Sequence, residues 1–368
     1  MAESNSVAQT GRQTPGKELR IGMEDTLKVL IVDDTAFMRK AVANILSTDP
    51  GIEVLDSAKN GLDALHKIKY LKPDVVTLDI DMPVMDGITA IKHIMIESPV
   101  PIVVLSSLTN DGVVTFEALR LGVVDFVPKP SGAISTDIDT ARHQLTDRVR
   151  VAHTVNLENV RRVRLPKKWS RRDRLENLYG YIPLEYMLAV GTSLSGPNTV
   201  IRILSRLSPT LPTAVMVVQE ISERIVHSFA REFNEHVPWR VVVAEDGMPV
   251  EQGTCYVGSN SHTHTVETDL DGRPCIRVGD GVREPLNRMY ASVAETFGEN
   301  GVGLILTGLG DDGAAGLEAI QRAGGATLAQ DALCCVYPNL TAHAINLGVV
   351  NRALDENELV PAINEMMT

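Results

Sequence analysis

The chain has 368 residues and a formal charge of −12, with 47 acidic against 35 basic side chains. That balance disfavours nonspecific nucleic-acid binding by the chain as a whole, and the length suits two domains rather than one. Hydrophobic residues make up 44% and aromatic residues only 4%, so the cores must be mostly aliphatic.

Residues 1–26 are polar and rich in Ser, Thr, Gln and Gly, and read as a disordered tail without the apolar core of a signal peptide. No later run reaches the length of a membrane helix. Cys255, Cys275, Cys334 and Cys335 form no C-x-x-C pair, which argues for reduced thiols rather than a disulfide framework or a zinc site. These features predict a cytoplasmic protein with no membrane insertion.

From Lys28 a regular alternation begins. VLIV (29–32), IEVLD (52–56), DVVTLDI (74–80), PIVVLSS (101–107) and VVDFV (123–127) are short aliphatic strands separated by helical periods. Five strands alternating with helices predict a doubly wound parallel sheet over residues 27–150. Residues 151–185 break the rhythm; RRVRLPKKWSRRDR (161–174) holds eight basic residues and one acidic one. This reads as a solvated basic linker, with a docking surface for an acidic partner as the sharper alternative. A second α/β region spans 186–368, with strands expected at 187–190, 213–218, 240–243, 254–257, 302–306 and 326–329. Helices are expected at 196–206, 223–235, 287–299, 313–323 and 338–346, and short strands near 263–277 suggest an antiparallel edge or hairpin.

In doubly wound sheets, ligands gather at the carboxyl ends of the strands. Asp33 and Asp34 end the first strand, Asp79 the third and Ser106 the fourth, and Lys129 follows the fifth. One such aspartate would read as a helix N-cap. Five polar groups at four strand ends do not. Three converging carboxylates repel one another unless a hard cation joins them, and Mg²⁺ suits oxygen ligands. Asp79 is then placed to attack a phosphoryl group. The acidic pair, LDIDMPVMDG, the SS pair and VPKP make residues 28–130 resemble a response-regulator receiver domain. The resemblance implies a flavodoxin-like fold, phosphorylation of Asp79 by a sensor histidine kinase, and Mg²⁺ held by Asp33, Asp34 and Asp79. It also implies phosphoryl contacts from Ser106 and Lys129, with Phe126 as the aromatic switch.

In LAVGTSLSGP (188–197), Ser193 stands on a turn between a strand and a helix, where a hydrolase places its nucleophile. GVGLILTGLGDDGAAGLEAI (301–320) is a strand, a glycine turn and a helix. Gly308, Gly310 and Gly313 satisfy G-x-G-x-x-G, and Asp331 stands where a ribose-binding acid belongs, so a dinucleotide-binding domain is a remote alternative. Asp311 and Asp312 oppose it, since they put two negative charges where a pyrophosphate would sit.

AVGTSLSGP, VVQEIS, GSNSHTH and LTGLGDDGAAGLEA, in that order, resemble the catalytic domain of the CheB methylesterase family. AEDGMPVEQGTCYVG (244–258) and LAQD (328–331) extend the resemblance over most of 186–366, and a receiver ahead of this domain is the family's architecture. The fold class is therefore α/β, a receiver followed by a methylesterase-like domain with a mainly parallel sheet. The resemblance implies hydrolysis of glutamate methyl esters, and deamidation of glutamines, on methyl-accepting chemoreceptors by a Ser-His-Asp triad.

Carried over by motif, the serine is Ser193 and the aspartate is Asp312. The histidine should follow VVQ, where this chain has Glu220. Leu194 and Ser195 replace the family's Thr and Gly, Leu309 replaces Met, and NRMYASVA stands for NRHRPSVD. Ser195 is expected to crowd an oxyanion site. His262 lies at a position where the family also has histidine, and His264 and His227 have no match. Glutamate is a weaker base than histidine, with pKa about 4.3 against about 6.5 in water. If Glu220 lay beside Asp312, the pair would resist double ionisation. Two readings remain open. One is a phosphorylation-controlled methylesterase or deamidase with impaired or pH-shifted activity. The other is a non-catalytic, phosphorylation-controlled binding module.

Overall fold

The structure, a computed structural model, describes residues 26–106, 112–129, 135–160, 183–280 and 283–367, with side chains of 135–142 excepted. The expected tail up to residue 25, Ser107 and the basic run 161–174 lie outside the described residues.

The N-terminal domain is a five-stranded parallel sheet in the order β2-β1-β3-β4-β5. Its strands are β1 (Leu27–Val32), β2 (Ile52–Ala58), β3 (Val75–Asp79), β4 (Ile102–Ser106) and β5 (Asp125–Pro128). Helices α1 (Ala36–Leu46), α2 (Gly61–Leu71), α3 (Gly87–Glu97), α4 (Gly112–Leu121) and α5 (Ser135–His153) alternate with them. Thr35, Asn60 and Asp86 cap the first three helices by accepting hydrogen bonds from backbone amides. The strand order reverses between β1 and β3, which brings the ends of those two strands together. α5 runs to His153, past the boundary expected at 150, and a short 3₁₀ turn follows at Leu157–Asn159.

The C-terminal domain has a seven-stranded, wholly parallel sheet in the order β14-β13-β12-β6-β7-β9-β8. Its strands are β6 (Tyr186–Gly191), β7 (Thr213–Gln219), β8 (Arg240–Val243), β9 (Thr254–Ser259), β12 (Gly301–Ile305), β13 (Ala326–Gln330) and β14 (Arg352–Leu354). Its helices are α6 (Gly196–Leu204), α7 (Glu223–His236), α8 (Pro285–Phe297), α9 (Ala314–Arg322), α10 (Asn339–Asn346) and α11 (Glu356–Met366). The expected antiparallel feature is a separate hairpin of β10 (Thr263–Thr268) and β11 (Pro274–Gly279), so the main sheet stays parallel. Helices cover both sheet faces, which is why β6 and β7 read as unbroken apolar runs. Leu188, Val190, Val215 and Val217 face α6, α7 and α11, while Met187, Ala189, Met216 and Val218 face the α8, α9 and α10 side.

β14 and α11 were not expected from sequence. β14 has only three residues, and Pro361 inside α11 reads as a helix break.

The two domains share their apolar cores. Phe116 and Leu119 of α4 belong to the same buried cluster as Phe229 and Phe233 of α7, with the Phe116 and Phe229 rings 5.6 Å apart. Gly112 lies so close to α7 that an added Cβ would stand 2.1 Å from Ser228 Oγ. On the far side, Leu194, Val336 and Tyr337 join Val124, Val127, Val149 and Ala152.

α6 is held from outside by an ion cluster. Arg202 grips the buried Glu356 carboxylate at 2.7 and 2.8 Å, and Arg206 adds a contact at 3.1 Å. Removing one partner strands the others, so Glu356→Ala should destabilise the chain by about 3 kcal/mol. The more exposed Arg206→Ala should matter less. Equilibrium urea unfolding checks this, and an unchanged midpoint for Glu356→Ala would rule it out.

Candidate functional site

Ligand oxygens of Asp33, Asp34 and Asp79 lie within 4.8 Å of one another at the ends of β1 and β3. Asp33 and Asp79 are 0% and 3% exposed. Lys129 lies 2.8 Å from Asp79 and 3.0 Å from Asp33, and the Arg39 guanidinium donates to the Asp33 and Asp34 carbonyls at 2.8 and 3.0 Å. Burial pushes the Asp79 carboxyl up from its ordinary value, Lys129 draws it back, and Asp33 adds to the rise. Burial works against the Lys129 charge, yet Asp79 and Asp33 hold its pKa above the ordinary value. Excess negative charge on hard oxygen donors fits Mg²⁺. Thr35 donates both its amide and its hydroxyl to Asp33 Oδ1 at 2.8 Å, which fixes that carboxylate. Ser106 ends β4, and its carbonyl accepts the Lys129 amide at 2.8 Å. Phe126 is half-buried and packs against core clusters of both domains.

Ser193 sits on the turn between β6 and α6 and is 9% exposed. Its Oγ accepts from the Leu309 amide at 2.7 Å and donates to the Leu309 carbonyl at 3.1 Å. A Cβ on Gly308 would stand 2.6 Å from Ser193 Oγ, so this turn needs a glycine. The glycine turn therefore seats the serine, and its Leu309 amide is already engaged. Asp331, the ribose candidate, caps a 3₁₀ turn by accepting the Leu333 amide at 2.8 Å.

Asp312 accepts the Leu286 amide at 2.8 Å and the Asn287 amide at 3.1 Å, both in the first turn of α8. Burial pushes its carboxyl up, and those amides draw it back. Glu220 lies just beyond β7 and forms an ion pair with Arg148 of α5, in the other domain. Arg148 also lies 3.3 Å from Asp125 Oδ2. Burial pushes Asp125 up to about 7; Arg148 opposes the shift and Glu220 adds to it. The three positions expected to form a triad are thus held by different partners: Ser193 by Leu309, Asp312 by α8, and Glu220 by Arg148. The partner found for Glu220 is a cation across the domain boundary, in place of the expected Asp312.

The other departures also find partners. Ser195 adopts φ 60°, a left-handed conformation that favours glycine, and its hydroxyl donates to the Val124 carbonyl at 3.1 Å. Its side chain is therefore directed at the N-terminal domain instead of crowding Ser193. Leu194 is 3% exposed, and Leu309 packs against the same shared cluster. Met289 and Tyr290 of the altered NRMYASVA segment are fully buried, and the Tyr290 hydroxyl donates to the Leu304 carbonyl at 2.7 Å. Arg148 and Asp125 were missed from sequence, because a basic residue late in a helix and an acidic one opening a strand carry no motif. A cavity of about 340 Å³ lies between the domains, lined in part by Asp125, Phe126, Arg148, Ser195, Glu220 and Asn260.

His227 is exposed on α7. His262 pairs with Glu223 at 3.0 Å. His264 is 4% exposed, with its ring against Gly258 and its Nδ1 buried without a hydrogen-bond partner. Among the described residues no helix is long and apolar enough to cross a membrane.

Comparison with known proteins matches residues 188–363 to the family CheB methylesterase and residues 29–136 to the response regulator receiver domain. A protein of Archaeoglobus fulgidus named protein-glutamate methylesterase/protein-glutamine glutaminase is 39% identical over 330 residues, covering 88% of this chain and 93% of that protein. A protein of the same name from Symbiobacterium thermophilum is 37% identical over 351 residues, covering 92% of this chain and 96% of that one. Another, from Pyrococcus horikoshii, is 34% identical over 333 residues, covering 88% of this chain and 89% of that one.

Burial lowers the His264 pKa from 6.5 to about 4, so the folded protein resists protonation there more than the unfolded chain does. Above pH 6.5 the residue is neutral in both states and costs nothing; as pH falls towards 4 the unfolded chain takes up the proton first, and stability drops by about 3 kcal/mol in all. His264→Phe should flatten the stability profile across that window. Chemical denaturation at several pH values measures it, and equal slopes for the two proteins would contradict the assignment.

Proposed function

Because the chain belongs to the CheB family of methylesterases and carries that family's receiver domain, we propose that it is a phosphorylation-controlled response regulator acting on methylated glutamates of chemoreceptors. The observation that carries this reading is the position of the Ser193 turn: it is buried against the α4–β5 side of the domain that holds Asp79.

In this reading the Asp79 carboxylate attacks the phosphorus of a phosphohistidine on a sensor kinase. An O–P bond forms as the P–N bond breaks. Asp33, Asp34 and Asp79 would hold Mg²⁺, which when bound offsets charge on the phosphoryl oxygens. Lys129 supplies a second positive charge from within hydrogen-bond reach of Asp79, and the Ser106 hydroxyl supplies a donor at the adjacent strand end.

Ser193 is the proposed nucleophile. Attack on the ester carbonyl would form an acyl-enzyme and release methanol, and water would then free the receptor glutamate. As described, the Ser193 hydroxyl donates to a carbonyl oxygen, which is no base. Its proton must be redirected before attack, and a change in domain packing on phosphorylation supplies the occasion. Asp312 is the proposed orienting acid, and Glu220 stands at the family's histidine position.

The Glu220–Arg148 pair favours a second reading, in which the same domain is a non-catalytic binding module. Glu220 as the working base requires that this pair be broken first.

Two measurements test the proposal. With a small phosphodonor and Mg²⁺, label should enter the wild type and be absent from Asp79→Asn or after chelation. Labelling that survives Asp79→Asn removes Asp79 as acceptor. Methanol release from methylated receptors should then be compared for wild type, Ser193→Ala and Glu220→His across pH. An active wild type that loses activity in Ser193→Ala supports the esterase. An inactive wild type rescued by Glu220→His supports the binding module.

A further inference from the structure

Four of the departures from the family pattern, Leu194, Ser195, Glu220 and Leu309, lie along the seam between the domains. Leu194 is buried in the cluster that joins the two domains, and Leu309 packs against it. Ser195 Oγ donates across the boundary to Val124. Glu220 pairs across the boundary with Arg148. Further along the same seam, Asn198 donates to the Leu119 carbonyl at 2.8 Å and Tyr337 to the Val151 carbonyl at 3.1 Å. Four positions altered independently by loss of a catalytic function would have no reason to find partners on one partner surface.

We propose that Glu220 is a docking residue: with Arg148 and Asp125 it forms a charged latch that holds the methylesterase domain's catalytic turn closed against the receiver, and Leu194, Ser195 and Leu309 are parts of the same seam.

The physical case rests on geometry and charge. Arg148 is drawn by two carboxylates, Asp125 on its own domain and Glu220 on the other. Its guanidinium side chain is 28% exposed and that of Glu220 is 31% exposed, so the pair is only partly screened by water. Asp125 is more deeply set, with its side chain 13% exposed. With Glu220 withdrawn, Arg148 keeps Asp125; with Arg148 withdrawn, both acids face each other without a cation. The latch therefore needs Arg148 and Glu220, and Asp125 holds the guanidinium from its own domain. A histidine at 220 cannot make the same ion pair, because its charged form would repel Arg148. The residue that the family uses as a base and the residue that this seam needs are thus mutually exclusive at one position. Ser195 makes the same trade. It accepts a left-handed backbone, where glycine would be unstrained, and gains a hydroxyl that reaches Val124.

The inference deepens the regulatory half of the proposed function, and its test does not depend on turnover. Hydrogen exchange is followed in the full-length protein over 192–196 and α7 (223–236) for wild type, Glu220→Gln, Arg148→Met and the double variant. In the wild-type background Glu220→Gln should speed exchange in both segments about tenfold, equivalent to about 1.4 kcal/mol. In the Arg148→Met background the same change should have little effect, because its partner is already gone. Equal effects in both backgrounds, or none in either, would overturn the latch. Far-ultraviolet circular dichroism excludes unfolding, and Ser195→Gly offers a second, neutral break that should loosen 192–196 alone. The esterase reading fails separately: methanol release that is absent in every variant would remove catalysis and leave the exchange cycle standing. Glu220→Gln also separates the two effects of Glu220→His, since it opens the latch without supplying a base.

Discussion

The seam between the two domains depends on the placement of one guanidinium. Arg148 is partly buried between two domains, and it keeps its charge there because carboxylates approach it from both sides. Burial alone would disfavour the charge; Asp125 and Glu220 hold it above its ordinary pKa. An ion placed this way makes position matter more than contact area does. A shift of the domains that leaves the apolar contacts nearly intact still separates the charges, and the remaining groups are then paired less well. A small shift of the domains is therefore enough to unpair these groups.

The two chemical centres are linked through β5. Its start carries Asp125, its middle Phe126, and just past its end stands Lys129 beside Asp79. One four-residue strand thus spans the distance from Asp79 to the seam, with an aromatic ring packed against both cores on the way. On the other side, the Ser193 turn is fastened to the 307–309 turn by the Thr192 hydroxyl on the Thr307 carbonyl at 2.6 Å and by the Leu309 amide on Ser193. Its backbone is therefore tied to that turn.

The receiver was legible almost entirely from sequence. Each of its strands is short, aliphatic and bounded by a polar group, so periodicity and chemistry point to the same boundaries. Asp33, Asp34, Asp79 and Lys129 could be gathered at one edge because a parallel sheet leaves them nowhere else to go. In the C-terminal domain the parallel strands were equally clear, but β14 was too short and α11 carried Pro361. The seam was not legible. Leu194, Ser195 and Glu220 looked like damage to a catalytic motif because a sequence shows what a residue no longer is. It does not show which distant element has come to face it. Arg148 lies 72 residues from Glu220, and no local pattern connects them.

The aromatic contact between α4 and α7 has a mechanical consequence. Phe116, Phe229 and Phe233 lie on the opposite flank of the seam from the Tyr337 contacts, and Gly112 lets the two helices touch nearly backbone to backbone. Wetting one buried phenylalanine costs about 2–3 kcal/mol, so separating this flank completely is the expensive way to open. Motions that leave Phe116 in contact with Phe229 are correspondingly cheaper.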